Sequence, residues 1–463
     1  MGRNRKLVKN ATFVMIGSLG AKLMGFIMLP LYTSWLSPEA YGTADIISTY
    51  AMLLLNVVAF DVSDAIFVFP IGASFADQKK YYSTGFLFQI VCSVAAAFIF
   101  WGLSCLPLEN ILCSHTWLIY GILISRLFQK YTQDFCRGID KMSVFSYSGI
   151  VNAFAMALFA VLLIPKFKVI GFVIAQIIAN IITMVFTFFY SASYKYCSVN
   201  NFSYPALKEM LNYSVPLIPT AVMWWLVSGL NRPLLEEYTG LLAVGFFAVA
   251  AKLPSLQTMI YGFFQQAWMV TVIEEFKKKD FADYYNRVFR VVFSVQVLAC
   301  MLVVVFAKPF IRLMTSPDYY DSWQYVPLIA YASVLSNISA FTGTVFSAAK
   351  KTKYTFYSTI IGGFSSIILN IIFIPMLGLW GACVSFILTY FACAISRIMY
   401  SVRFVPFRNA SYVFWQSILI MVCYFGSFFE SLVLTIVAQT LVFVVYLYLN
   451  KDAVKQAKSF VRK

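Results

Sequence analysis

About fourteen long apolar runs follow one another along the 463-residue chain, and they constrain its fold more than any other feature. A helix needs roughly 20 apolar residues to cross a hydrocarbon core of about 30 Å. These runs are apolar throughout, whereas the strands of a membrane barrel alternate between polar and apolar residues. The sequence therefore predicts membrane-spanning helices at residues 11–34, 44–68, 83–105, 115–135, 144–164, 169–190, 213–231, 241–272, 288–307, 324–346, 355–374, 379–400, 411–429 and 431–449.

The composition agrees with these predicted spans. The chain is 61% hydrophobic and only 12% charged, whereas soluble domains are about a quarter charged. Every predicted loop is too short to hold a folded domain. We therefore predict an all-α polytopic membrane protein.

The basic residues are distributed unevenly between the predicted loops. If the N-terminus is cytoplasmic, 27 of the 35 Lys and Arg residues fall on the inner side, counting Lys130, Arg290 and Arg397 near the inner ends of spans. Five fall on the outer side and three deeper within spans. This asymmetry predicts that both termini are cytoplasmic and that the number of spans is even. The net charge of +16 is thereby explained by contact with anionic lipid, for example at Lys277-Lys278-Lys279, and not by binding of nucleic acid.

An internal repeat links two parts of the chain at an offset of 210 residues. Such a repeat is typical of transporters built from duplicated halves. We expect two six-helix lobes, residues 1–195 and 208–400, related by a pseudo-two-fold axis along the membrane normal around a central cavity. Residues 411–449 form an appended helix pair, and residues 450–463 a basic cytoplasmic tail. Residues 141–177 match residues 351–387 at nine positions, which are Lys141/Lys351, Tyr147/Tyr357, Ser148/Ser358, Ile150/Ile360, Phe154/Phe364, Ile164/Ile374, Pro165/Pro375, Gly171/Gly381 and Ile177/Ile387.

Two lysines lie deep inside predicted spans, Lys22 in the first and Lys252 in the eighth. A cation at the centre of a span costs roughly 2.5–3.5 kcal/mol on insertion scales, and such residues usually face a cavity or a partner. Both lysines are therefore candidates for contact with an anionic substrate, with a structural ion pair or snorkelling as the alternative. Pro254 follows Lys252 closely, which predicts a kink in the eighth span.

Further charges lie on shared helical faces in spans 2 and 4. Arg126 and Lys130 are four residues apart, and Asp61 and Asp64 are three apart. Arg126 is a second candidate for substrate contact, with lipid headgroups as the alternative partner. The two aspartates are candidates for coupling to H⁺ or Na⁺, or they neutralise Lys22 or Arg126.

Few other residues suggest chemistry. Trp224 and Trp225 are suited to stacking on sugar rings, but adjacent residues point in different directions, and we take Trp224 as the one that lines a cavity. His115 is the only histidine, and no nucleotide-binding loop or metal-ligand spacing is present. Cys105 and Cys113 share one outer loop, and their spacing leaves pairing open. We therefore expect no metal, no cofactor and no enzymatic activity.

Three blocks of sequence together resemble bacterial polysaccharide flippases of the Wzx type, which belong to the multidrug/oligosaccharidyl-lipid/polysaccharide exporter superfamily. Each block is weakly specific alone, but their order and spacing extend the resemblance through span 12. The blocks are Leu36-Ser37-Pro38-Glu39-Ala40-Tyr41-Gly42; Val244-Gly245-Phe246-Phe247-Ala248-Val249-Ala250-Ala251-Lys252-Leu253 with Gln266-Ala267-Trp268; and Ala348-Ala349-Lys350-Lys351-Thr352 with Leu369-Asn370, Ile374-Pro375 and Gly378-Leu379-Trp380-Gly381-Ala382.

The resemblance implies export of an undecaprenyl-pyrophosphate-linked oligosaccharide, a repeat unit of O-antigen, capsule or exopolysaccharide, across the bacterial cytoplasmic membrane by alternating access. Lys22 and Lys252 would then suit the pyrophosphate, and a polysaccharide polymerase and glycosyltransferases would be partners. Members of the family often carry an acid where this chain has Asn231, before Arg232, which weakens any coupling scheme that depends on that acid.

Three other functions remain as rivals. A lipid II flippase and a cation-coupled multidrug exporter belong to the same superfamily. A membrane polymerase or glycosyltransferase is the enzymatic alternative, but such enzymes generally carry a large outer loop that this chain lacks.

Overall fold

The computed structural model describes Gly20 and residues 23–107, 110–429 and 431–451, and these residues form helices joined by short turns. Residues 23–27 are also helical and lead into the first labelled helix. The helices are α1 Leu29–Trp35, α2 Pro38–Val58, α3 Val62–Val68, α4 Phe75–Ser104, α5 Ile111–Ser114, α6 Thr116–Gly138, α7 Met142–Tyr190, α8 Tyr204–Ser214, α9 Ile218–Ser228, α10 Asn231–Thr239, α11 Leu241–Ala250, α12 Lys252–Glu275, α13 Phe281–Met314, α14 Val326–Ala348, α15 Lys353–Leu377, α16 Leu379–Ser401, α17 Ala410–Gly426 and α18 Leu432–Leu449. Short 3₁₀ segments occur at Ser193–Tyr196, Val199–Asn201, Val215–Leu217 and Pro317–Gln324.

The predicted fold class is confirmed, because each predicted span coincides with a helix or a group of helices wherever the chain is described. By length and composition, eight helical segments of the described chain suffice to cross a membrane, or nine if the bent pair α11 and α12 counts as one span. One of the eight is α7, whose 49 residues contain two predicted spans. α6 lies outside this set because its charged residues lower its mean hydropathy.

The repeated hairpin has the same backbone geometry in both copies. Lys168 interrupts α7 with φ 50° and ψ −121°, and Gly378, at the equivalent position, separates α15 from α16 with φ 57° and ψ −130°. Three residues later, a Cβ on Gly171 would overlap the carbonyl oxygen of Leu163, and one on Gly381 would overlap that of Phe373. Glycine is thus required in both copies because two helices approach each other at backbone distance.

A second turn is also repeated, just before each hairpin. Asp140 and Lys350 occupy equivalent positions, and both have positive φ, 62° and 55°. The next residue donates its backbone N–H to a carbonyl five residues back, from Lys141 to Cys136 at 3.0 Å and from Lys351 to Phe346 at 2.8 Å. The duplication inferred from sequence identities is therefore also a duplication of backbone conformation.

The chain divides into two compact units. Unit 1 comprises the described residues through Trp225 together with Gly240–Gly245, and unit 2 comprises Leu226–Thr239 and the described residues from Phe246 onward. Within unit 1, the N-terminal turns of α2 and α11 meet at two glycines. A Cβ on Gly42 would overlap the carbonyl oxygen of Leu241, and one on Gly245 would overlap that of Pro38. The finer division into 1–195, 208–400 and 411–449 stays a prediction.

Each unit has its own aromatic core. In unit 1, Tyr82, Tyr131 and Phe135 are fully buried, and the Tyr131 hydroxyl donates to the Tyr82 carbonyl at 2.7 Å. In unit 2, the ring of Phe341 stacks on that of Trp268 with centroids 5.0 Å apart. Buried Tyr285 and Phe289 contact the same phenylalanine.

Candidate functional site

A network of charged residues joins α3 to α6 inside unit 1. The Lys130 ammonium lies 2.8 Å from a carboxylate oxygen of Asp64, 3.5 Å from Asp61 and 3.7 Å from Asp134. Arg137 donates to the other oxygen of Asp134 at 2.9 Å. Only 8% of the Asp61 and Asp134 side chains is exposed, so both carboxylates depend on these cations for their solvation.

Asp61 reaches this network because the second span breaks between α2 and α3. Phe60 and Asp61 both adopt left-handed conformations, each with φ 49°. At the break, the carbonyl of Ala59 accepts the backbone N–H of Val62 at 3.1 Å, and the buried side chain of Gln89 donates a second hydrogen bond to it at 2.9 Å. The break therefore has a dedicated partner on α4, and it turns the Asp61 carboxylate toward α6.

Arg137 adds a second contact between the same elements. Its guanidinium lies over the ring of Phe67 at 4.3 Å and over that of Phe145 at 5.2 Å. The next residue, Gly138, has no room for a Cβ, which would lie 2.8 Å from the carbonyl oxygen of Phe67. The end of α3 and the end of α6 are thus fixed at backbone distance.

Asp61 and Asp64 were predicted either to couple an ion or to neutralise a nearby cation. Among the described residues, the cation that they contact is Lys130 and not Arg126. Lys22, the other cation of the second alternative, is not among those residues. The sequence analysis did not single out Asp134 or Arg137. The i, i+3 and i, i+4 spacing of Lys130, Asp134 and Arg137 along one helix was the available signal.

Arg126 lies near the middle of α6, one turn before Lys130, and its side chain is partly buried. Within the described part of the chain, no hydrogen bond or ion pair joins its guanidinium to another residue. A cation inside a membrane helix without a protein partner is costly and is generally retained for a ligand. That Arg126 binds an anion stays a prediction.

The remaining predicted contacts are placed as follows. Lys252 is the first residue of α12, at the point where α11 and α12 bend by 41°, which confirms the predicted kink beside buried Pro254. Trp224 is partly buried, and its neighbour Trp225 donates its indole N–H to the carbonyl of Thr49 at 3.3 Å. Lys22 lies outside the described residues. Whether these residues bind substrate stays a prediction.

Unit 2 contains a large apolar groove between α14, α16 and α17. Its volume is about 680 Å³, and Ser417 and Tyr331 are the polar residues among its walls. Eight of its lining residues come from α17, part of the helix pair that was predicted to be appended to the repeat. The apolar wall residues include Leu335, Phe391, Ile395, Met399, Phe414, Ile418, Met421 and Phe425.

Sequence reasoning missed one buried cation in unit 2, because it counted Arg397 with the basic loop that follows α16. The side chain is only 4% exposed. Its guanidinium donates to the hydroxyl of Ser358 at 3.1 Å, to the carbonyl of Ser339 at 3.0 Å and to the hydroxyl of Thr359 at 3.4 Å. Arg397 thus joins three helices, α14, α15 and α16, through neutral oxygen atoms.

A buried amide cluster is the other polar feature of unit 2. The side chain of Gln296 on α13 accepts hydrogen bonds from Asn337 at 2.9 Å and from Gln257 at 3.3 Å. Such hydrogen bonds between membrane helices average about 0.6 kcal/mol. The cluster therefore orients α12, α13 and α14 relative to one another.

The described residues contain no group of His, Cys, Asp and Glu side chains able to hold a metal ion. Cys105 and Cys113 are both free thiols.

Solved membrane transporters share this fold. The structure is similar to the lipid II flippase MurJ in an inward closed conformation, with a TM-score of 0.71 at 15% identity over 95% of this chain and 99% of that one. It is similar to an inward-facing multidrug resistance MATE family transporter of the MOP superfamily, with a TM-score of 0.67 at 14% identity over 84% and 93%. A mutant of the Vibrio cholerae MATE transporter VcmN gives 0.58 at 14% identity over 86% and 97%. These likenesses show the fold of a multi-pass membrane protein.

The family follows from the sequence itself. The model of the family described as polysaccharide biosynthesis protein matches residues 7–274, and the MatE model matches residues 275–376. The chain belongs to the polysaccharide biosynthesis protein family. No curated protein matches the sequence significantly.

Proposed function

We propose that the chain moves an undecaprenyl-pyrophosphate-linked oligosaccharide from the inner to the outer leaflet of a bacterial cytoplasmic membrane, by alternating access. The observation that carries this proposal is Arg126, a partly buried guanidinium in the middle of α6 without a partner among the described residues. A guanidinium presents a planar fork of donors that matches phosphate oxygens. Lys22 and Lys252 are proposed to contact the same pyrophosphate.

The apolar groove of unit 2 supports the lipid part of this substrate. A space of about 680 Å³ with almost wholly apolar walls suits a branched hydrocarbon chain better than a sugar, because it offers a sugar hardly any hydrogen-bonding partner. The polyprenyl chain is therefore assigned to the groove, and the sugars to the polar residues elsewhere. Trp224 is proposed to stack on a sugar ring.

The ion network argues against a cation-coupled multidrug exporter. Such an exporter needs carboxylates free to bind a cation, whereas Asp61, Asp64 and Asp134 all contact Lys130, and Arg137 holds Asp134 as well. This arrangement favours a structural role for the two predicted coupling residues. Coupling to H⁺ or Na⁺ through them stays a prediction, and transport that survives Asp61→Asn and Asp64→Asn together would contradict it.

Lipid II is the second candidate substrate, because the similar flippase MurJ is named for it. Both substrates carry the same polyprenyl pyrophosphate, so Arg126 and the groove fit both. Depletion of the protein in its own cells separates them, with both lipids measured by leaflet. Oligosaccharide-linked lipid should accumulate in the inner leaflet while lipid II stays unchanged, and accumulation of lipid II alone would replace our proposal with the second one.

The role of Arg126 is tested by substitution at constant expression. Arg126→Gln should reduce export at least tenfold, since loss of one charge-assisted hydrogen bond costs about 1.5–3 kcal/mol. Arg126→Lys should retain part of the activity because it keeps the charge. Lys208→Gln is the matched control, because Lys208 is an exposed cation of the same unit. Normal export by Arg126→Gln would remove the anion contact from the proposal.

A further inference from the structure

One end of unit 2 carries an aromatic platform flanked by two cations. The ring of Tyr354 lies 5.4 Å from the Lys353 ammonium and 5.7 Å from the Arg403 guanidinium. Arg403 also lies 5.8 Å from the ring of Tyr400, which packs against Tyr354 with centroids 5.3 Å apart. We refer to Lys353, Tyr354, Tyr400 and Arg403 as the headgroup cluster.

The cations of the headgroup cluster lack acidic partners. Both side chains are exposed, and their contacts within the described chain are the two tyrosine rings and the Tyr354 hydroxyl, 3.5 Å from Arg403. Two other exposed cations of unit 2 do have carboxylates, since Arg408 pairs with Asp283 and Lys278 with Glu275. The cluster therefore presents uncompensated positive charge at a fixed place.

The repeat supplies an internal comparison for this end of the hairpin. At the offset of 210 residues, Lys353 and Arg403 correspond to Ser143 and Ser193 in unit 1, and the alignment is supported by the identical pair Tyr190 and Tyr400. Ser193 is fully buried and bonded to Ser191. The same fold thus forms without either cation, so folding of the hairpin does not require them.

A third lysine differs between the copies in the same way. In unit 1, Lys141 donates to the carbonyl of Ser191 at 2.6 Å and so caps the end of its own hairpin. Its equivalent in unit 2, Lys351, is exposed and makes no such bond within the described residues. In unit 2, Lys351, Lys353 and Arg403 are therefore available to a ligand.

The surroundings of the headgroup cluster indicate what kind of ligand it takes. Met399, Val402 and Tyr357 lie beside it in sequence and are 67%, 51% and 46% exposed. Exposed apolar side chains next to Lys, Arg and Tyr are typical of the level at which lipid headgroups meet hydrocarbon. We propose that the headgroup cluster binds the phosphate of an anionic phospholipid, with the acyl chains against the neighbouring apolar residues.

Binding of a short-chain phosphatidylglycerol to the purified full-length protein, measured by native mass spectrometry, tests this assignment. The double variant Lys353→Gln/Arg403→Gln should weaken binding about 30-fold. Each basic residue contributes about 1 kcal/mol to lipid binding, and every 1.4 kcal/mol changes the affinity tenfold. Tyr354→Phe should weaken it less, because it removes a hydroxyl and keeps the ring. The double variant Lys208→Gln/Arg287→Gln removes the same charge, one Lys and one Arg, from two other exposed positions and should leave binding within about twofold of the unmodified protein.

Three results would overturn the proposal. Equal losses in the two double variants would mean that general charge, and not this cluster, attracts the lipid. Unchanged binding by Lys353→Gln with Arg403→Gln would place the lipid elsewhere. Displacement of the lipid by inorganic phosphate at the same concentration would show a site for the free anion that needs no lipid. Phosphatidylcholine of the same chain length should bind all variants equally weakly.

Discussion

Removal of the Lys130 ammonium should destabilise unit 1 more than removal of any carboxylate that it contacts. Three carboxylates, from Asp61, Asp64 and Asp134, share the two cations Lys130 and Arg137. Lys130→Met leaves three acids with one cation, and two of those acids are 8% exposed. Breaking a buried ion pair by removing one partner costs about 3–5 kcal/mol.

The expected loss is measurable as thermal unfolding in detergent. For a unit of this size, about 2 °C of melting temperature corresponds to each kcal/mol, so Lys130→Met should lower the transition by roughly 6–10 °C. Asp61→Asn alone should cost less, because it leaves two acids for two cations. Combined with Lys130→Met, it should restore part of the loss, and more than Asp64→Asn does, because Asp64 is 48% exposed.

Lys208→Met is the matched control, because Lys208 is exposed on α8 of the same unit. This variant should melt at the same temperature as the unmodified protein. The reasoning fails if Lys130→Met also melts normally, or if Asp64→Asn rescues it better than Asp61→Asn. Either result would mean that solvent, and not Lys130, compensates the buried carboxylates.

Three further substitutions test the backbone and the packing. Lys168→Gly should raise the melting temperature of unit 1, because a backbone with φ 50° and ψ −121° costs about 1–3 kcal/mol for residues other than glycine. Gly378→Ala should lower the melting temperature of unit 2 for the same reason. A fall with Lys168→Gly or a rise with Gly378→Ala would contradict the equivalence of the two turns. Arg397→Lys should lower the melting temperature although the charge is kept, because one ammonium cannot reach the oxygen atoms of Ser339, Ser358 and Thr359 together. An unchanged melting temperature would refute the bridging role. Gly245→Ala should reduce the yield of folded protein in size-exclusion chromatography, because the added Cβ would overlap the carbonyl oxygen of Pro38. Gly262→Ala is the control and should not reduce it, because no atom lies within 4 Å of the Cβ that it adds.

Much of the architecture was predictable because it depends on local sequence. Apolar runs long enough to cross a bilayer must form helices, because the hydrocarbon core contains no water to hydrogen-bond unpaired backbone N–H and C=O groups. Pro254 beside Lys252 predicted a bend because proline removes a backbone donor. The repeated proline and glycine positions marked a turn whose conformation is the same at Lys168 and Gly378.

The ionic contacts were not predictable in the same way. Asp61 and Lys130 are 69 residues apart in sequence, and their contact depends on a helix break that no proline or glycine marks. Asp61 is a residue type that tolerates a positive φ, but Phe60 before it is not, so the sequence does not mark two such residues in a row. The break is stabilised by Gln89 on another helix, which is tertiary information. Arg397 was missed for a similar reason, because polar oxygens from two other helices surround a cation that sequence alone assigns to a loop.

The most direct test of the proposed function uses the purified protein in vesicles that contain an undecaprenyl-pyrophosphate oligosaccharide. Periodate added outside oxidises only the sugars of the outer leaflet, so protein-free vesicles keep a protected fraction. Vesicles that hold the protein should lose this protection with time, and those with Arg126→Gln should lose it at least tenfold more slowly. Protection that persists with the active protein, under conditions where lipid II or a drug is moved, would contradict the account.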